Sequence, residues 1–218
     1  MSDHRDSPEI YTGTERLLAF SDGVFAIAIT LLVLDIGVPN VEHGVISKLL
    51  QQWPSYLGYV LSFFVIGIIW AQHHEMFTQI RRSNHVFVMI NVIFLMWVAF
   101  LPFPTALLSE GLTHSDAAGR RAVVAIYTGM FLLGGLLVNL QWRYAIHRDR
   151  LLGAEVDRGA VRKMTWNYAA GPLLYVMAFA LAFVSPPASI ALIFLINLFF
   201  AVSPLLPLHR VIIRFGGK

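Results

Sequence analysis

The sequence predicts an all-α fold: a polytopic membrane protein of six transmembrane helices. Three observations carry this. Long apolar runs recur along the chain, each bounded by Arg, Asp, Gly or Pro, and 57% of the residues are hydrophobic. Only 13% are charged, against about 25% in a typical soluble domain. The basic residues cluster in the short segments between the runs, where they read as topology signals.

The first span is Leu17 to Ile36, long enough to cross a bilayer, because about 20 residues rising 1.5 Å each cover roughly 30 Å. The second covers about Ser55 to Ile80 and is charge-free as far as Gln72. The third is Val86 to Leu108, with Pro102 and Pro104 predicting a kink or an early stop near one end. The fourth is Ala122 to Gln141. The fifth, Trp166 to Val184, is joined to the sixth, Ala188 to Leu208, by the tight hairpin Ser185-Pro186-Pro187. In the sequence-based ranges the spans are therefore 17–36, 55–80, 86–108, 122–141, 166–184 and 188–208, forming one domain over residues 1–218.

With both termini cytoplasmic, the inner segments hold Arg5, Arg16, Arg81, Arg82, Arg143, Arg148, Arg150, Arg158, Arg162, Lys163, Arg210, Arg214 and Lys218. Of the 16 Lys and Arg, only Lys48, Arg120 and Arg121 then lie outside. The positive-inside rule favours this orientation, which an even number of spans permits. The polar first fifteen residues lack the basic start, apolar core and cleavage site of a signal peptide, so the first helix is expected to persist in a cell-membrane protein. The pI near 9.4 does not imply nucleic acid, since the basic residues sit between apolar runs. Cys is absent, which excludes disulfides, thiolate metal sites and Cys nucleophiles. No internal repeat or soluble domain is evident, and no catalytic order or metal-ligand set points to an enzyme.

The polar residues inside the spans are costly in lipid and mark function or packing. On a helical wheel of about 100° per residue, Gly23, Thr30, Leu31 and Leu34 fall within about 60° of Ile27. This stripe can face lipid, neighbouring helices or a pore. Asp22 lies at about 220° from Ile27 and reads as a structural partner rather than an ion ligand, with His73, His74, Asn91 and Trp70 as expected partners. His73-His74-Glu75 suggests a metal site only weakly, because adjacent histidines face different ways and the His-Glu-x-x-His spacing is missing; no metal or cofactor is expected. Asn91, Asn139, Gln141 and Asn197 are expected to make interhelical hydrogen bonds. Gly67 and Gly134-Gly135 allow close helix contact. Asp35 and Glu42 either raise the cation concentration at an outer mouth or are solvated loop charges.

Arg16-x-x-x-Phe20-Ser21-Asp22-Gly23 resembles the signature of the lysosomal potassium channel family and its prokaryotic relatives, the transmembrane protein 175 family. Ile27-x-x-Thr30-Leu31-x-x-Leu34 and the six-span layout extend the resemblance along the chain. The resemblance implies a homotetramer with the first helix of each subunit lining a central pore. It also implies that Ile27 forms the narrowest ring, that Leu31 and Leu34 add further apolar rings, and that Thr30 bears on potassium preference. The implied activity is a potassium-selective, weakly discriminating cation channel that passes K+ and other monovalent cations. The alternative is a proton-coupled secondary transporter using Asp22 and the histidines. No glycine-rich carbonyl filter is present, as the resemblance also implies.

Overall fold

The computed structural model describes residues 13–38, 44–153 and 156–202. Arg5, Glu42, Arg210, Arg214, Lys218 and the end of the sixth expected span, 203–208, lie outside the described residues.

Among the described residues eight α-helices follow in order: α1 (Glu15–Leu31), α2 (Val45–Gln51), α3 (Trp53–Gln79), α4 (His85–Phe100), α5 (Pro102–His114), α6 (Ala117–Ile146), α7 (Arg158–Ala182) and α8 (Pro186–Val202). Among the described residues four helical runs, Glu15–Leu34, Gly58–Gln79, His85–His114 and Ala117–Asp149, are long and apolar enough to cross a membrane. The apolar α8 is shorter, at 17 residues, and α7 carries Arg158, Arg162 and Lys163 in its first two turns. Helices α3, α4, α6 and α7 share one buried apolar cluster, and α1 packs into another with α3 and α4.

Local chemistry sets the boundaries. Asn84 opens α4 by accepting from the Phe87 amide at 3.0 Å, Asp116 opens α6 through the Gly119 amide at 2.7 Å, and Asp157 opens α7 through the Gly159 amide at 2.8 Å. The first span is shorter as an α-helix than expected. It ends at Leu31 and tightens into a 3-10 turn over Leu32–Asp35. Residues three apart eclipse in such a turn, which keeps Leu34 beneath Leu31. The third span is divided at Leu101, which remains helical at φ −56° and ψ −34°. Pro102 has no amide to give the Val98 carbonyl, and Leu101 takes it at 3.1 Å. The chain turns only slightly there and continues as α5.

Proline is handled differently in α7. Pro172 lies inside the helix and cannot bond the carbonyl of Tyr168 four residues back. The Asn139 side chain of α6 donates to that carbonyl at 2.8 Å. A neighbouring helix thus satisfies a backbone group that lipid cannot. Helix α6 also packs tightly at Gly134-Gly135, against α4 and α7. A Cβ at Gly134 would collide with the Trp97 indole, and one at Gly135 would lie 2.9 Å from Tyr175. Gly67 differs from expectation, since a Cβ there would meet nothing within 4 Å. Asn197 also differs, bonding the Ile193 carbonyl of its own helix at 2.9 Å.

The Arg16 end of the bundle is clipped together by the α6–α7 segment. Leu151 is buried there, and its carbonyl accepts from the Arg81 and Arg82 amides at 3.0 and 3.2 Å. Gly153 returns an amide to the Gln79 carbonyl at 3.2 Å. Thr14, just before α1, donates to the Ile80 carbonyl at 3.3 Å. The segment leaves α6 through Arg148 and Asp149, both left-handed, at φ 56° and 53°. Asp149 then forms a two-pronged pair with Arg158 at 2.8 and 2.9 Å, which holds its carboxyl below the usual carboxylate range.

The Asn139–Pro172 compensation has a testable form. Asn139→Ala leaves the Tyr168 carbonyl unpaired and should cost about 1–3 kcal/mol, read as a lower melting temperature in detergent. Combining it with Pro172→Ala restores the helix's own amide, and the double variant should recover most of the loss. Simple additivity of the two losses would show that the bond does not serve this purpose.

Candidate functional site

Helix α1 has two faces of opposite character. Ser21, Phe25, Ala28 and Leu32 are buried against α3 and α4, with Leu32 only 1% exposed. About 140° away on the wheel, Ile27 is 60% exposed. Arg16, Phe20, Gly23, Thr30, Leu31 and Leu34 share that exposed face. A Cβ at Gly23 would meet nothing within 4 Å. The Thr30 hydroxyl donates to the Ile27 carbonyl at 2.9 Å, so its proton is used within the helix.

The buried face carries a hydrogen-bonded hub. The Ser21 hydroxyl donates to the Leu17 carbonyl at 2.8 Å and accepts from Asn91 Nδ2 at 3.0 Å. Because Asn91 Nδ2 is the donor there, its Oδ1 is the acceptor elsewhere. Oδ1 receives Gln141 Nε2 at 2.9 Å and lies 2.9 Å from His73 Nε2. The His73 proton is therefore on Nε2, as assigned from the network. Four helices, α1, α3, α4 and α6, meet at this one amide. Phe25, Phe77 and Phe94 enclose the His73 ring, with Phe94 stacked at 5.3 Å. Two acceptors, His73 Nδ1 and Gln141 Oε1, are buried with no partner among the described residues.

Asp22 belongs to a separate contact. Its carboxylate accepts from the Trp70 indole at 2.8 Å. Of the partners expected for Asp22, Trp70 makes that bond, whereas His73 and Asn91 join Ser21. His74 is exposed, with its ring 5.8 Å from that of Trp70, and enters neither contact as a hydrogen-bond partner.

These residues lie where the comparisons with known proteins are most informative. Residues 16–102 match the family described as "Endosomal/lysosomal potassium channel TMEM175". A potassium channel of Chamaesiphon minutus is 45% identical over 201 residues, covering 90% of this chain and 97% of that protein. This chain belongs to the TMEM175 family. A potassium channel of Streptomyces collinus is 41% identical over 178 residues, 81% of this chain and 85% of that one. A solved Chamaesiphon minutus homologue of the lysosomal potassium-selective channel TMEM175 superposes with a TM-score of 0.77 at 42% identity. It covers 87% of this chain and 97% of its own.

Within this TMEM175 member, the motif divides its work by helix face. Ser21 turns inward to the hub, Asp22 reaches sideways to α3, and Arg16 and Phe20 lie on the exposed face. Gln141 was legible only as a generic interhelical donor. Its one sequence signal is an amide at the end of an apolar span.

Disrupting the hub should cost more than disrupting the Asp22 contact. Asn91→Ala strands His73 Nε2 and Gln141 Nε2 in the interior, at about 1–3 kcal/mol per orphaned group. Trp70→Phe removes one partly exposed bond, worth about 0.6 kcal/mol between membrane helices. Melting temperatures in detergent should fall in that order, and a larger drop for Trp70→Phe would reverse the assignment.

Proposed function

We propose that this protein is a potassium-selective cation channel, assembled as a homotetramer with α1 of each subunit around a central pore. The observation that carries the proposal is the exposed face of α1. It joins Arg16, Gly23, Thr30 and bulky apolar side chains along one line, while the opposite face is sealed into the subunit. One such helix encloses nothing, but four copies related by rotation enclose a path. The potassium channels of Chamaesiphon and Streptomyces to which this chain is similar support the same reading.

In this reading four Ile27 side chains form a hydrophobic ring. A hydrated cation entering it sheds water and gains no ligand, so the ring gates by wetting. β-Branching leaves Ile27 few rotamers, which stiffens the ring. Leu31 and Leu34 add rings along the same line. Thr30 offers a hydroxyl oxygen beside the constriction. The long helices, together with α7 and α8, make up six spans, with both termini cytoplasmic and Lys48, Arg120 and Arg121 outside. The neutral hub holds α1 in register and carries no ion.

Purified protein in a planar lipid bilayer should show discrete unitary openings with a reversal potential favouring K+ over Na+, and its mass in mild detergent should be four times that of the chain. Ile27→Ser should raise unitary conductance and weaken the K+ preference. Leu32→Met, on the sealed face, should change neither. Steady turnover without unitary steps would favour the transporter, and equal effects at both positions would remove α1 from the pore.

Orientation is tested through the absence of cysteine, which makes single-cysteine variants specific. Ala118→Cys should react with an impermeant maleimide on intact cells, and His147→Cys only after permeabilisation. The reverse pattern would invert the topology.

A further inference from the structure

The end of the bundle opposite the Arg81–Arg82 turn carries an open apolar groove of about 730 Å³ between α3, α5, α6 and α8. Leu61, Leu112, Ile190 and Phe194 form its floor and walls, and Arg120 and Arg121 stand at its rim. The same four apolar residues also border a crevice of about 360 Å³ that runs inward to Val65 and Tyr127. Two apolar compartments therefore meet beneath a pair of cations.

Neither arginine is neutralised by a carboxylate among the described residues. Arg120 donates one bond, to the Ser115 carbonyl at 2.6 Å. The nearby carboxylates are engaged otherwise: Glu110 faces His114 at 3.3 Å, and Asp116 caps α6. Basic residues on the translocated side oppose the topology that the other loops favour. Two of the three exceptions in this chain are adjacent and border this groove.

We propose that this groove binds an anionic diacyl phospholipid from the surrounding leaflet, with its phosphate on Arg120 and Arg121 and one acyl chain in the inner crevice. Charge complementarity selects the headgroup, since paired guanidiniums match phosphate oxygens in a fork geometry. The groove and crevice provide separate apolar beds for two chains. The inference needs only membrane embedding, so a failure of conduction or of tetramer formation leaves it standing.

Native mass spectrometry of the purified protein, titrated with dioleoyl phosphatidylglycerol or dioleoyl phosphatidylcholine, tests it. Phosphatidylglycerol, the anionic lipid, should bind more tightly. Arg120→Gln/Arg121→Gln should weaken it by about tenfold and weaken zwitterionic phosphatidylcholine less. The two single variants should each show part of that loss, which keeps the test valid if the double variant misfolds. Ala191→Trp, at the groove wall, should weaken both lipids, and Arg81→Gln/Arg82→Gln at the far end should weaken neither. Equal phosphatidylglycerol binding by folded wild type and arginine variants overturns the proposal. So does a change of oligomeric state in Ala191→Trp without loss of lipid, which would make the groove a contact between copies.

Discussion

The amide of Asn91 holds the rest of the arrangement in place. It sits in an apolar interior where each unmade hydrogen bond costs about 1–3 kcal/mol, and it joins Ser21, His73 and Gln141 from three other helices. That requirement fixes the rotation of α1 about its own axis. With Ser21 turned to Asn91, the 3.6-residue repeat carries Phe25, Ala28 and Leu32 into the core and leaves Ile27 and Leu31 outside. A helix held only by apolar packing could rotate at small cost; one held by a satisfied amide cannot. The face assigned to the pore is thus set by bonds made on the opposite side.

The same physics recurs wherever the helices depart from regularity. A bilayer supplies no water to an orphaned carbonyl. At Pro172 the missing bond is replaced by Asn139 from α6, and at Pro102 the preceding residue takes over the carbonyl through a tighter turn. Close approach at Gly134 and Gly135 brings α6 within reach of Trp97 and Tyr175, and the Trp97 indole then donates to the Met130 carbonyl at 2.9 Å. Small residues, buried amides and indoles take the place of the hydrophobic drive that is missing between helices in lipid.

The two ends of the bundle differ in construction. At the Arg16 end, backbone hydrogen bonds tie the α3–α4 turn to the α6–α7 segment, and Thr14 joins α1 to the same turn. At the other end, grooves open between α3, α5, α6 and α8 beside Arg120 and Arg121. The closed end anchors α1, and the other end is left more open.

The sequence by itself determined the membrane class, the positions of the long apolar helices and the two faces of α1. These follow from apolar run length and from a helical period that is a property of the backbone. It also placed Ser21 and Asp22 in the polar contacts of the first helix. It could not say which partner each would meet. Consecutive residues on a helix point about 100° apart, so Ser21 and Asp22 look toward different neighbours, and only the packing of α3, α4 and α6 sent Asn91 to one and Trp70 to the other. The idle Gly67 and the inward-bonding Asn197 were undecidable for the same reason. A glycine permits close approach and an amide permits a bond, but whether a neighbour comes near enough is decided by the tertiary structure.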